Sequence, residues 1–144
     1  VAVQRDNPYA NYNFVVDVGL GDDIAFSEVE LPSGEIEVIE YREGDDKASS
    51  ARKLPGLAKY GNVTLKRGLA GRNELFDWWK AVRDGQVARR NVAITLLDEQ
   101  RQPVQRWLLR DAWPVKLDYG PLNALGNEVV IESLELAHEG FETE

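Results

Sequence analysis

The chain contains no cysteine, which excludes disulfides, thiolate metal sites and thiol nucleophiles. It carries a single histidine, so a multi-histidine metal site within one chain is excluded as well. No apolar run approaches the roughly 18–20 residues that a membrane span requires. The opening Val1-Ala2-Val3-Gln4-Arg5-Asp6 lacks the apolar core of a signal peptide. Basic side chains disappear after Lys116. What is present is 144 residues, 43% hydrophobic and 29% charged. A chain of that size buries about 68–70% of its unfolded surface. One soluble, acidic domain over residues 1–144 is therefore expected.

The net charge of −8 is uneven: residues 1–60 carry −6, residues 61–116 carry +5 and residues 117–144 carry −7. Wrapping polyphosphate relies on clustered Lys and Arg, so an acidic protein of this kind is a poor nucleic-acid binder. The partition has two readings. Acidic faces keep the protein dispersed, or a basic middle on one copy meets acidic ends on another.

Strand patterns dominate. Tyr12, Phe14, Val16 and Val18 alternate with Asn13, Val15, Asp17 and Gly19, the period of a strand with one apolar face. Gly21-Asp22-Asp23 is turn chemistry, Ile24 to Leu31 is extended, and Pro32-Ser33-Gly34 turns again before Ile36 to Tyr41. The three segments read as an antiparallel meander. From Glu43 to Tyr60 the periodicity vanishes. Aperiodic stretches longer than about 12–15 residues are uncommon in compact domains and are usually functional or disordered. Leu54, Leu57 and Tyr60 would be wasted on water, so this stretch reads as a long loop that docks on something.

Asn62 to Arg67 is again a strand. Asn73 then reads as the N-cap of one helix, with Glu74 and Asp77 in its first turn and Gly85 as its stop. Leu75, Trp78, Trp79 and Val82 fall on one helical stripe, which predicts that all four pack against a sheet. Val92 to Leu97 is apolar on both faces and reads as a central strand. Asp98 to Pro103 reads as a hairpin connection, and Val104 to Trp113 as a return strand broken at Pro114, after which Val115, Leu117 and Tyr119 alternate with Lys116 and Asp118 up to a second loop over Gly120 to Gly126. Val129 to Ala137 is the last strand. About eight strands and one helix predict a β-barrel or sandwich with a helix packed on it.

Catalytic patterns do not emerge. A general base needs an orienting partner and a cleft. His138 has only Glu139 as an acidic sequence neighbour, and adjacent strand residues point to opposite faces. Asp22-Asp23 and Asp45-Asp46 lack the ligand spacing of a calcium loop. Gly19-Leu20-Gly21 lacks the helix and Lys-Ser/Thr of a phosphate cradle. The serines lack a nucleophile-elbow context. The expectation is a protein that is not an enzyme and has no cofactor or metal.

The chain does resemble the phage tail tube family and its relatives in contractile injection systems. The resemblance rests on Asn7-Pro8-Tyr9 leading into Asn13-Phe14-Val15-Val16, and on the run from Leu54-Pro55-Gly56-Leu57 through Gly68. The Trp78-Trp79 helix, Ala112-Trp113-Pro114 and the ending from Asn127 to Gly140 complete it. It implies an antiparallel β-barrel, related to the haemolysin-coregulated protein of type VI secretion, with one helix packed on it and a long extended loop. It also implies hexameric rings of this chain stacked into a tube, with a contractile sheath around it, baseplate proteins at its end, and protein or DNA cargo in its lumen. Such a particle would assemble in the bacterial cytoplasm, without direct membrane insertion, as part of a virion or of a released or membrane-anchored device. In this reading Asp45, Asp46, Arg52, Lys53, Leu54, Leu57, Lys59 and Tyr60 are inter-subunit or stacking residues. Two alternatives stand beside it: a low-copy tube-initiator or terminal ring protein, and a monomeric ligand-binding barrel with Trp107 and Trp113 lining a pocket.

Overall fold

The computed structural model describes residues 7–20, 24–45 and 51–144, so Asp22, Asp23 and Asp46 lie outside the described residues. Nine strands and one helix follow in the order β1 (Phe14–Asp17), β2 (Glu28–Glu30), β3 (Gly34–Tyr41), β4 (Arg52–Tyr60), β5 (Val63–Gly68), α1 (Glu74–Arg83), β6 (Arg90–Leu97), β7 (Pro103–Tyr119), β8 (Ile131–Ala137) and β9 (Phe141–Thr143). Seven strands make one sheet, in the path β1-β6-β7-β8-β5-β2 with β9 on β7, while β3 and β4 form a two-stranded sheet of their own. All pairings are antiparallel.

The strands expected as a meander do not pair with one another: β1 pairs with β6, β2 with β5 and β3 with β4. Alternation specifies which face of a strand is buried, but not which strand lies beside it. The core follows the alternation closely. Val63 and Leu65 on β5, Leu134 and Leu136 on β8, Val92 and Ile94 on β6 and Leu109 on β7 are buried in one cluster with Val16 and Val18. β6 lies between β1 and β7 as a central strand should, with Ala93 and Thr95 half-buried on its second face.

Pro114 does not end the return strand. β7 runs through it for 17 residues. Its first half pairs with β6 and β9 and its second half with β8. The strand irregularity between Pro114 and Lys116 lies at this handover, a position where a proline's missing N–H is tolerated. Just before it, Asp111 adopts φ 50° and its backbone N–H donates to the Asn91 side chain at 3.2 Å.

Helix α1 buries Leu75 and Trp78 in the core cluster, and Trp78 Nε1 donates to the Ala88 carbonyl at 2.6 Å. Trp79 and Val82 are only half-buried. Trp79 lies beside Phe76, with the Arg83 guanidinium 5.5 Å from its ring centre. The buried stripe is thus narrower than the spacing predicts, because a ten-residue helix on a curved sheet seals only its central line. Gly85, at φ +85°, closes the helix. Its first turn is held by Arg67, whose Nη1 reaches Glu74 at 3.0 Å and whose Nη2 reaches the Arg72 carbonyl at 3.1 Å. Asn73 occupies the cap position without a side-chain capping bond.

Candidate assembly interface

The stretch expected as a long loop is largely a strand. Arg52–Tyr60 is β4, paired with β3, and only residues 42–51 connect the two. Leu54-Pro55-Gly56-Leu57 has the composition of a turn, but it forms an irregularity in the ladder: two residues of β4, Gly56 and Leu57, face Glu37 alone. Such a bulge accommodates an extra residue and twists the hairpin. Glycine fits closely there, since a Cβ at Gly56 would lie 3.1 Å from both the Glu37 carbonyl oxygen and the Ile39 side chain and would push them back by a few tenths of an ångström.

Every residue of β3 is exposed, and of β4 only Gly56 is not. Ile36, Val38, Ile39, Tyr41, Leu54, Leu57 and Tyr60 keep 40–74% of their surface in contact with solvent. Cross-strand partners share a face, so Ile36 and Val38 stand with Ala58 and Pro55 on one side, and Ile39 with Leu54 on the other. Charge pairs punctuate the ladder: Glu35 is opposite Lys59, Glu40 is opposite Lys53, and Lys59 Nζ reaches Glu37 at 2.5 Å. An isolated two-stranded hairpin is marginally stable in water, and an exposed apolar surface of this kind marks an interaction site.

The base of the hairpin is clasped to the main sheet. The Tyr60 ring meets Phe141 edge-on at 5.7 Å and His138 at 6.0 Å between centroids. The Gly140 N–H donates to His138 Nδ1 at 3.2 Å, leaving Nε2 to donate to the Gly61 carbonyl at 2.8 Å. One neutral tautomer satisfies both bonds. Gly61 also donates to the Ser33 carbonyl at 2.9 Å, and a Cβ on Gly61 would collide with the Ser33 hydroxyl. His138 is a structural clasp in this arrangement.

Of the residues singled out from sequence, Arg52, Lys53, Leu54, Leu57, Lys59 and Tyr60 are brought together on one strand, and Asp45 lies exposed in the turn region beyond β3. Asp46 is outside the described residues. Missed were the partner residues Ile36, Val38, Ile39 and Tyr41 on β3, which were read as the third strand of a meander and pair with β4 instead. Their signal was the complementary order of charge, glutamates on one segment and lysines on the other. Trp107 and Trp113 do not share a pocket. Trp107 lines a cleft between β1 and β2, while Trp113 lines a separate one beside Arg89, whose guanidinium lies 5.9 Å from its ring centre.

A nine-stranded, one-helix fold with a protruding hairpin can be compared with known proteins. The family model described as T4-like virus tail tube protein gp19 matches residues 10–142. The chain belongs to this family. Its role is accordingly structural, that of a tail tube protein, and not enzymatic. Among solved structures, a chain of the 6-fold symmetrised anti-feeding prophage baseplate is 29% identical with a TM-score of 0.87, over 97% of each chain. A chain of the extended sheath–tube complex of an extracellular contractile injection system, PVC, is 27% identical with a TM-score of 0.85, over 95% of this chain and 91% of that one. Hcp1 from Flavobacterium johnsoniae shares the fold at 13% identity, with a TM-score of 0.56 over 90% of this tail tube protein and 93% of Hcp1. Curated protein sequences gave no match. The barrel-like tail-tube fold expected from sequence is therefore correct, although the main sheet of the single protomer has two free ends, β1 and β2.

Proposed function

We propose that this tail tube protein is the inner-tube protomer of a phage-tail-like contractile injection particle. Six copies close into a ring, rings stack into a hollow tube, and cargo passes through the lumen. A contractile sheath surrounds the tube and a baseplate terminates it. Residues 1–144 act as one assembly unit, and Arg52, Lys53, Leu54, Leu57, Lys59 and Tyr60 lie in the contact between copies, with Asp45 at its outer end. The observation that carries this reading is the β3–β4 hairpin, whose Ile36, Val38, Ile39, Leu54 and Leu57 stay 45–74% exposed among the described residues. Burying apolar surface contributes about 25 cal/mol per Å², so covering it on another copy favours assembly directly.

The low-copy reading is kept by one fact: the injection-system structures that the chain matches include a baseplate and a sheath/tube terminator as well as a sheath–tube complex. The two readings predict the same ring and differ in copy number. Negative-stain imaging of the purified protein should show six-fold rings or tubes, and a stable monomer at high concentration would refute both. Stoichiometry in the purified particle separates many stacked rings from one.

A further inference from the structure

The β3–β4 hairpin is rooted in the main sheet beside β9. Its first and last residues, Gly34 and Tyr60, are cross-strand partners. A Cβ on Gly34 would touch the Phe141 ring at 3.6 Å, and the same ring meets Tyr60 edge-on. His138, the single histidine of the chain, completes this root, with its ring centre 6.0 Å from that of Tyr60 and 6.3 Å from that of Phe141. On the hairpin side Nε2–H donates to the Gly61 carbonyl, and on the sheet side Nδ1 accepts from the Gly140 N–H. The ring is a bridge with one donating and one accepting end, and only neutral imidazole has both.

We propose that His138 is a pH-sensitive catch, which holds the root of the hairpin to the main sheet while neutral and releases it when protonated. Histidine is the side chain whose ordinary charge change falls between about pH 5 and 8. A proton on Nδ1 points at the Gly140 N–H, donor against donor, so that bond is lost. The turn cannot shift to relieve the clash, because the Glu139 N–H and the Gly140 carbonyl are both bonded to the Arg110 backbone at 2.9 Å. The ring must turn instead, and it takes Nε2 away from the Gly61 carbonyl. The surroundings do not compensate the added charge. From β7 the Arg110 guanidinium lies against Gly140 and donates to the Glu139 carbonyl at 3.3 Å. The Glu139 carboxylate is held by Arg89 at 2.7 Å. β4 and β9 present the aromatic rings of Tyr60 and Phe141, while Lys59 beside Tyr60 is paired with Glu37. Glu142, next to Phe141, alternates to the other face of β9, and Glu135 on the other face of β8 accepts from Asn62 at 2.9 Å. With its root released the hairpin samples many directions, and binding in any one of them costs the freedom given up. The hairpin is therefore poised at neutral pH and slack in acid.

With one histidine in the chain, ¹⁵N-histidine labelling gives ring signals that belong to His138 alone. They should show hydrogen on Nε2 and a bare Nδ1 at about pH 8, and protonation on the way to about pH 5. Hydrogen exchange is followed over the same range at constant assembly state, checked by light scattering, with times scaled for the intrinsic pH dependence. Residues 33–36 and 58–61 should exchange about fivefold faster in acid, the worth of one hydrogen bond, with a midpoint that matches the ring's. Residues 74–83 are the control, since Glu74 lies below the usual carboxylate value and its loosening belongs to more acid solution. His138→Phe and His138→Gln do not titrate, and both should lose the pH step at the hairpin root whatever their exchange rate at neutral pH. A step that persists in either variant assigns it to another group and overturns the proposal. So does a His138 ring that protonates while the hairpin root is unchanged, or one that stays neutral down to about pH 5.

Discussion

Arg67 on β5 and Glu132 on β8 face each other across the ladder, with Nε donating to Oε1 at 2.6 Å and both side chains nearly sealed from solvent. Burial opposes the Arg67 charge, but hydrogen bonds and opposite charge from Glu74 and Glu132 outweigh it and hold the guanidinium above its ordinary value. Removing one partner of a buried pair strands the other, at about 3–5 kcal/mol. Glu132→Leu should cost that much in denaturant unfolding. Arg67→Leu combined with Glu132→Leu should recover part of the loss, since no buried charge is then left behind. A double variant less stable than either single one would contradict this account.

Acid should loosen the start of α1. Glu74 lies below the usual carboxylate value, held there first by a backbone N–H at its own position and then by Arg67. A lowered folded-state value means the stabilisation is present above the unfolded value of roughly 4.3 and fades as pH falls through the folded one. Thermal stability of Glu74→Gln should therefore fall below that of the unsubstituted protein near neutral pH and converge with it in acid. A gap that stays constant down to strongly acidic pH would show that the carboxylate charge is not involved.

Trp78→Ala should destabilise by about 3–5 kcal/mol, the usual cost of emptying a large buried aromatic site. It also leaves the Ala88 carbonyl without its indole donor. Trp79→Ala should cost about 1 kcal/mol, as Trp79 is half-buried. Equal melting temperatures for the two variants would mean that the helix presents a different face.

On the hairpin the effects should separate. Leu57 is 74% exposed, so Leu57→Asp should change protomer stability by no more than about 0.5 kcal/mol while abolishing tubes in electron micrographs. Intact tubes from this variant would remove Leu57 from the contact.

Salt gives a further reading of the same contact. Exposed charges more than about 10 Å apart are largely screened at 0.1 M ionic strength. If acidic and basic segments of neighbouring copies attract, ring yield should fall as salt rises. A yield that is unchanged or higher at high salt would assign assembly to apolar and main-chain contacts.

Much of this architecture was legible because buried faces write themselves as alternation. Val63 and Leu65, Val92 and Ile94, and Leu134 and Leu136 sit where period-2 reading puts them, and Leu75 and Trp78 where the helical period does. β4 was illegible for a physical reason. With both faces in solvent, nothing requires its residues to alternate, and Pro55-Gly56 mimics a turn while forming a bulge. Pro114 misled in the same way, since a proline ends a strand only where the ladder needs its N–H. β9 lay beyond His138 and was too short, at three residues, to show any period. The clasp of His138 with Gly61, and the pairing of Arg67 with Glu132, join residues 77 and 65 positions apart, and no local pattern records such a distance.

β7 has a mechanical consequence. At about 3.3 Å per residue its 17 residues trace up to roughly 56 Å of unbroken backbone, shared by the strands on either side of Asp111. Thrust delivered to one half of the protomer passes to the other along covalent bonds instead of across a plane where layers could slide. A stack of such units would advance like a rod, with its compliance confined to the joints between copies.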